Sequence, residues 1–157
     1  MQIREARASD VPQIVAIWKD FMEFHRKLDE SFAMRKGAPA RFGDYLRDLV
    51  NQTDSQLLVA DEGSTVLAYS IAYIRPYPPV FEHEYFGLIS DLAVIRERWR
   101  MGIGSQVLAR VFDWFRANKV DQVELRVASA NSVGAAFWKK HGFRDYMRGL
   151  RRELGPE

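Results

Sequence analysis

Apolar positions along this chain change their spacing several times, and each change marks an element. Gln2 to Ala6 alternates apolar and polar residues, the period of a strand. Ile14, Ile17, Trp18, Phe21 and His25 then fall on one helical stripe. Asp10 stands before that stripe with Gln13 three residues on, the spacing of a capping box, and Pro12 suits a first turn. Gly37-Ala38-Pro39 separates a second helix, Phe42 to Asn51, with Phe42, Tyr45, Leu46 and Leu49 in phase. Gln56 to Ala60 reads as an apolar strand, Asp61-Glu62-Gly63-Ser64 as a turn, and Val66 to Ile74 as the returning strand of a hairpin. Phe86 to Val94 is apolar on both faces apart from Ser90 and Asp91, which predicts a central strand. From Gly104 to Lys119 the period is helical again, carried by Val107, Leu108, Val111, Phe112 and Phe115. Gln122 to Val127 alternates, a short helix follows Asn131 and ends near Gly142, and Phe143 to Leu154 predicts a last strand with a basic outer face. The order β-α-α-β-β-β-α-β-α-β predicts an α/β (α+β) domain on a mixed sheet.

With 157 residues the chain is expected to form a single domain, 1–157. It is 47% hydrophobic and 28% charged, the balance of a globular protein and too apolar for a disordered one. Lys and Arg total 23 against 21 Asp and Glu, a net +2, so charge gives no argument for a nucleic-acid partner. There is no cysteine, which excludes disulfides, thiolate nucleophiles and thiolate metal sites. His25, His83 and His141 form no His-x3-His pair, and no metal is expected. The charged start Met1-Gln2-Ile3-Arg4-Glu5 leads into no apolar signal segment, and no 18-residue apolar run follows. A cytoplasmic protein without a membrane partner is the expectation.

Candidate chemistry concentrates after the central strand. Arg96 to Ser105 is polar, contains Gly102 and Gly104, follows a buried strand and opens an amphipathic helix. Two such glycines let the backbone approach a ligand closely, and the helix start offers unpaired N–H groups and partial positive charge, with Arg98 and Arg100 beside it. This is the geometry of a pyrophosphate cradle, and equally of a glycine-eased turn with solvated arginines. It is neither a Walker loop nor Gly-x-Gly-x-x-Gly.

A second segment, Asn131-x-x-Gly134-x-x-Phe137-Trp138-x-x-His141-Gly142-Phe143, follows the next strand. By themselves Phe137 and Trp138 read as core residues and Gly142 as a helix C-cap. Together the two segments resemble the GCN5-related N-acetyltransferase (GNAT) superfamily. That family has Gln/Arg-x-x-Gly-x-Gly/Ala after its fourth strand and Asn-x-x-Ala-x-x-Phe-Tyr-x-x-x-Gly-Phe later. Ile3-Arg4-x-Ala6-x-x-x-Asp10 also matches, and the resemblance spans Ile3 to about Leu154. It implies a mostly antiparallel sheet flanked by helices, an acetyl-CoA-dependent N-acetyltransferase acting by direct attack of a primary amine, and a homodimer.

Carried over by position, the resemblance assigns coenzyme A pyrophosphate to the backbone amides of Arg100, Met101, Gly102, Ile103, Gly104 and Ser105. Leu92, Ala93 and Val94 would pair with the pantetheine arm, and an amide there would polarise the thioester carbonyl. Asn131 would bond the same arm, and the Phe137–Trp138 helix would flank it. Three positions depart from the pattern. Trp99 stands where Gln or Arg usually opens the loop, Trp138 where a tyrosine often protonates the thiolate, and Ser90 where many members place a glutamate base. Glu84 and Asp91 are the candidate bases, with Glu84 slightly ahead, and Tyr146 is a stand-in for the absent acid. Each also has a plainer reading: Glu82, His83 and Glu84 as a solvated loop end, Tyr146 as a packing residue.

The resemblance brings the acceptor between the first helices and the strand 3–4 region. Phe24, His25, Tyr77, Glu82 and His83 are the candidate substrate contacts, an aromatic lining with scattered carboxylates that suits a cationic amine. A polyamine, an aminoglycoside-like base, an amino-acid derivative and a protein lysine all fit. Two readings from other classes compete. One is a coenzyme-A-binding sensor or interaction module with weak or no catalysis. The other is a nucleic-acid binder built on Arg144, Arg148, Arg151 and Arg152, which lacks the interleaved aromatics of a base-stacking surface.

Overall fold

Five strands lie side by side in chain order in the computed structural model, which describes residues 1–156. They are β1 (Gln2–Glu5), β2 (Ser55–Glu62), β3 (Thr65–Pro76), β4 (Tyr85–Val94) and β5 (Val123–Leu125). Pairing is antiparallel from β1 to β4, and β5 joins β4 in parallel. Helices α1 (Val11–Leu28) and α2 (Ala38–Leu49) cover one face, and α3 (Ile103–Ala117) covers the other. Chain contacts divide the molecule into two units, Met1–Arg126 and Val127–Glu157. All of these elements belong to the first.

The alternation of strand side chains sends β3 into two cores at once. Tyr69, Ile71 and Tyr73 pack with Ile14, Leu46 and Val59 under α1 and α2, while Leu67 and Ala68 pack with Ile103 and Val107 under α3. Burial on both faces explains the near-continuous apolar run of β3. Gly87 begins the β4–β5 pairing, donating its N–H to the Gln122 carbonyl at 2.7 Å. A Cβ at Gly87 would meet the buried Phe115 ring at 2.5 Å, so only glycine lets α3 lie this close to β4.

Two local expectations change in the folded chain. Asp10 occupies the N-cap position of α1, but its carboxylate accepts from Arg4 (2.8 and 3.0 Å) and from the Arg7 N–H (2.7 Å). Gln13 builds no capping box. Its carboxamide donates to the Ser64 carbonyl and accepts from the Val66 N–H, fastening α1 to the β2–β3 hairpin. Helix α2 starts earlier than its apolar pattern, at Ala38, because left-handed Gly37 turns the chain and Pro39 fits a first turn.

The second unit contains α4 (Ser132–Lys140). Asn131 caps it, accepting from the Gly134 N–H at 2.9 Å, and left-handed Gly142 ends it as a C-cap, with the Phe143 N–H donating to the Trp138 carbonyl. The strand expected over Phe143 to Leu154 is not formed: residues 143–156 carry no regular secondary structure. Gly149 and the charged run Arg151-Arg152-Glu153 give this segment little strand preference of its own.

Candidate active site

The site is built at the bulge of β4. In the β3–β4 ladder Ile71 pairs with Asp91 and Ala72 with Ile89, leaving Ser90 as the extra residue. In a regular strand Ser90 and Asp91 would point to opposite faces. The bulge instead lets the Ser90 hydroxyl donate to Asp91 Oδ1 at 2.7 Å. From β3, the Tyr69 hydroxyl donates to Asp91 Oδ2 at 2.8 Å, a diagonal cross-strand contact. On the opposite face the buried Ser70 hydroxyl donates to the Asp91 carbonyl at 2.9 Å and pins the bulge from behind.

Burial dominates the electrostatics of this carboxyl. It pushes Asp91 above the ordinary carboxylate range, opposed in part by the hydrogen bonds from Ser90 and Tyr69 and by the His25 charge. Tyr69 is held well above the usual phenol value by its own burial and by the Asp91 charge, so its hydroxyl remains a donor. Tyr45 on α2 is raised too, by burial and by Asp91.

Beyond the bulge, β4 leaves its parallel neighbour. Strand β5 pairs only with Gly87, Leu88 and Ile89, so Ser90 to Val94 has no strand partner on that side among the described residues. Leu92 and Val94 turn their side chains to the α3 core and Ala93 turns to the α1 core, which leaves the main chain as the exposed chemistry of this edge. This is the segment expected to hold the pantetheine arm.

The glycine loop follows. Arg100 and Gly102 are left-handed at φ 61° and 82°, and α3 begins at Ile103 with no side chain capping its first N–H groups. Met101 and Gly102 are exposed, and a Cβ at Gly102 would approach only Gln106 Nε2, at 4.0 Å. Backbone N–H groups at a helix start, next to alternating left-handed residues, form a donor set that fits a pyrophosphate. Of the two flanking arginines, Arg98 is engaged with Glu62 at 2.8 Å and Arg100 is exposed. Trp99 has a different task from the Gln or Arg usual there. Its indole N–H donates to the Val94 carbonyl at 2.7 Å, and its ring meets Phe24 of α1 edge-on at 5.9 Å.

The remaining candidates fall into separate groups. Phe24 and His25 are in ring contact on α1, and His25 acts electrostatically on Asp91. Tyr77, Glu82, His83 and Glu84 belong to the β3–β4 loop, around a hollow of about 340 Å³. That loop turns toward β5: the Tyr77 hydroxyl donates to Glu124 at 3.1 Å, and His83 lies 3.3 Å from Asp121. Glu84 is exposed and stands seven positions before Asp91, roughly 20 Å along a strand. In the second unit Phe137 contacts Trp138 and His141, and the Asn131 oxygen is used in capping α4. Tyr146 is 72% exposed and on no strand. Sequence reasoning missed Tyr69, whose hydroxyl looked like one more apolar position of β3. It also missed the Trp99–Val94 bond, which pairs a side chain with a backbone atom and has no sequence pattern.

The family model described as the Acetyltransferase (GNAT) family matches residues 14–143, and the chain belongs to that family. By that membership it is an N-acetyltransferase. Among its relatives is an uncharacterized N-acetyltransferase of Bacillus subtilis (strain 168), YhfO, 22% identical over 145 residues, 92% of this chain and 91% of that one. A tetramutant of the BH1408 protein from Bacillus halodurans superposes with a TM-score of 0.87 at 27% identity, covering 98% of this chain and 100% of the other. A predicted acetyltransferase from Clostridium acetobutylicum, solved with acetyl-CoA, shares the fold with a TM-score of 0.78 at 19% identity over 98% and 96% of the two chains. No helix among the described residues is long and apolar enough to cross a membrane, and none of their acidic or histidine clusters could hold a metal ion.

Proposed function

We propose that the chain, acting as one domain, moves the acetyl group of acetyl-CoA to a primary amine by direct attack in a ternary complex. The observation that carries this reading is the bulge of β4, which sets the Asp91 carboxyl beside a strand edge that β5 leaves open. Acetyl-CoA supplies an acyl group activated as a thioester. The main-chain N–H groups from Arg100 to Ser105 would hold its phosphates, and the open edge Leu92–Val94 its arm. An N–H of that edge would oppose charge developing on the carbonyl oxygen.

Asp91 is the better of the two candidate bases. A free amine is scarce at pH 7, roughly one molecule in a thousand for a pKa near ~10. A carboxylate raised by burial is better matched to taking that proton than an exposed glutamate at ordinary strength. Ser90 and Tyr69 fix the orientation of the Asp91 carboxylate, and Glu84 belongs to the β3–β4 loop instead. No tyrosine occupies position 138, and the thiolate leaves without a strong acid. That vacancy favours the second reading, a coenzyme-A-binding module with little catalysis. A cytoplasmic homodimer remains part of the proposal, tested by light scattering for the oligomer.

Thermal unfolding with acetyl-CoA, coenzyme A, NAD and ATP comes first. Saturation at a hundred times Kd adds about 2.7 kcal/mol, a shift of several degrees. Both coenzyme A forms should shift the midpoint, and NAD and ATP should not. Turnover of an amine panel then separates enzyme from silent binder. Asp91→Asn should lower kcat/KM by about 10²–10⁴-fold, and Glu84→Gln should leave it near wild type. The reverse ranking would transfer the role to Glu84.

A further inference from the structure

The indole of Trp99 closes the end of the open edge of β4. Its N–H donates to the Val94 carbonyl at 2.7 Å, folding the start of the glycine loop back onto the last residue of the strand. Two contacts brace the ring: Phe24 of α1 meets it edge-on at 5.9 Å, and the Arg96 guanidinium lies 5.4 Å from its centre. The ring is 39% exposed, so it is no core residue, and the bond to Val94 is its most specific tie.

Strand geometry tells which main-chain groups this bond leaves available. In an antiparallel strand the N–H and C=O of one residue point to one side, and those of the next residue to the other. The Ile95 N–H donates to the Leu67 carbonyl at 2.9 Å, toward β3. Ala93, two residues back, faces the same way, so Leu92 and Val94 turn their main-chain groups outward. Upstream the outward residue is Gly87, whose N–H reaches Gln122, and the extra residue Ser90 shifts the outward set from odd to even positions. Past the bulge, the open edge offers the N–H and C=O of Leu92 and of Val94. Trp99 takes the Val94 carbonyl. An ordered set remains: the Leu92 N–H, the Leu92 carbonyl and the Val94 N–H.

Resting on the acetyl-transfer reading, we propose that Trp99 is a positioning residue that sets the register of the coenzyme A arm on β4. The arm carries two amide groups, which pair with a strand edge as an added strand does. A free Val94 carbonyl would let it bond one step nearer the loop. With that carbonyl filled, the arm pairs with Leu92 and the Val94 N–H. Its acyl end then lies at the outward N–H nearest Asp91, that of Leu92. The same bond holds the start of the phosphate loop at a fixed distance from the edge, so the arm and the phosphates of one cofactor meet their donors together.

Tryptophan-¹⁵N labelling of the wild-type protein tests the bond directly. The Trp99 indole N–H should exchange slowly with solvent in the free protein and stay slow with saturating coenzyme A. Fast exchange in either state overturns the inference, because the Val94 carbonyl would then be open to the arm. Calorimetric binding of coenzyme A, and of an analogue whose arm is one methylene longer, tests the register. Wild type should prefer coenzyme A by about tenfold, the effect of one misplaced hydrogen bond. Trp99→Phe keeps a ring for Phe24 and Arg96 and removes the N–H. It should weaken coenzyme A binding about threefold to tenfold and shrink the preference for the shorter arm. Phe24→Leu keeps the indole bond and should leave that preference at the wild-type value. A Trp99→Phe protein that retains the wild-type preference overturns the inference and leaves acetyl transfer standing. Failure of the wild-type protein to bind coenzyme A at all overturns the underlying reading, and the register role with it. The exchange measurement needs no variant, so it decides the matter if Trp99→Phe does not fold.

Discussion

At the residue scale, Asp91 shows how function and stability oppose each other. Its burial beside Tyr69 raises its pKa, so the folded state holds a proton more tightly than the unfolded chain. The sign follows from that direction. Stability falls as pH rises from the unfolded carboxyl value near ~3.9 through the raised folded one, because the charged form is disfavoured only in the fold. Asp91→Asn removes this penalty together with the proposed base. Its Tm relative to wild type should therefore be higher at pH 7 than at pH 4, as calorimetry at the two pH values will show. An equal difference at both would mean that water reaches Asp91 freely.

Elements carry the next level of argument, and Gly87 is their sharpest point. Strand β4 and helix α3 approach so closely there that a methyl group would overlap the Phe115 ring. Phe115 is fully buried and has nowhere to go. Gly87→Ala should destabilise by about 1–3 kcal/mol, the usual cost of overpacking. In a chain of this size that lowers Tm by roughly 3–10 °C. Adding Phe115→Leu, which vacates the overlap, should recover part of the loss in a double-mutant comparison. Because Gly87 also starts the short β4–β5 pairing, the single variant should weaken coenzyme A binding as well, read by titration calorimetry. The sequence displayed Gly87 as a bare interruption of an apolar run. The clash that requires it involves a ring 28 positions away, which no local pattern reveals.

For the molecule as a whole, Arg4 ties the beginning of the chain to the sheet. Its guanidinium binds both oxygens of Asp10, and its Nε reaches Asp61 on β2 at 2.6 Å. This bond holds the Asp10 carboxyl below the usual range. A lowered folded pKa stabilises above the unfolded value and is lost as pH falls through the folded one. Arg4→Gln should cost about 2 kcal/mol at pH 7, less than breaking a fully buried pair. The gap from wild type should narrow in acid, as the pH falls from the unfolded carboxyl value near ~3.9 toward the lowered folded one. Urea titrations at pH 7 and pH 3 measure both ends of that prediction.

Much of this architecture was legible from periodicity. Strand and helix periods placed nine elements within a few residues, because apolar spacing is dictated locally by which face must leave water. The glycine loop and the Asn131 segment were legible as motifs, because left-handed backbone and helix caps demand particular residue types. What remained hidden depended on partners distant in sequence. The strand expected over Phe143 to Leu154 has no regular alternation to support it, and a strand exists only where another pairs with it. Gln13 fitted a capping box by spacing and was drawn instead to the hairpin turn fifty-one positions on. Asp91 was assigned its face by strict alternation, yet the bulge at Ser90 put both side chains together and let Tyr69 reach the carboxyl. The sequence alone determined the order of elements and the loop that suits a phosphate. Tertiary structure decided which carboxylate is hydrogen-bonded by Tyr69 and Ser90 and where β4 is left open, since burial and hydrogen bonding are properties of neighbours brought together only by folding.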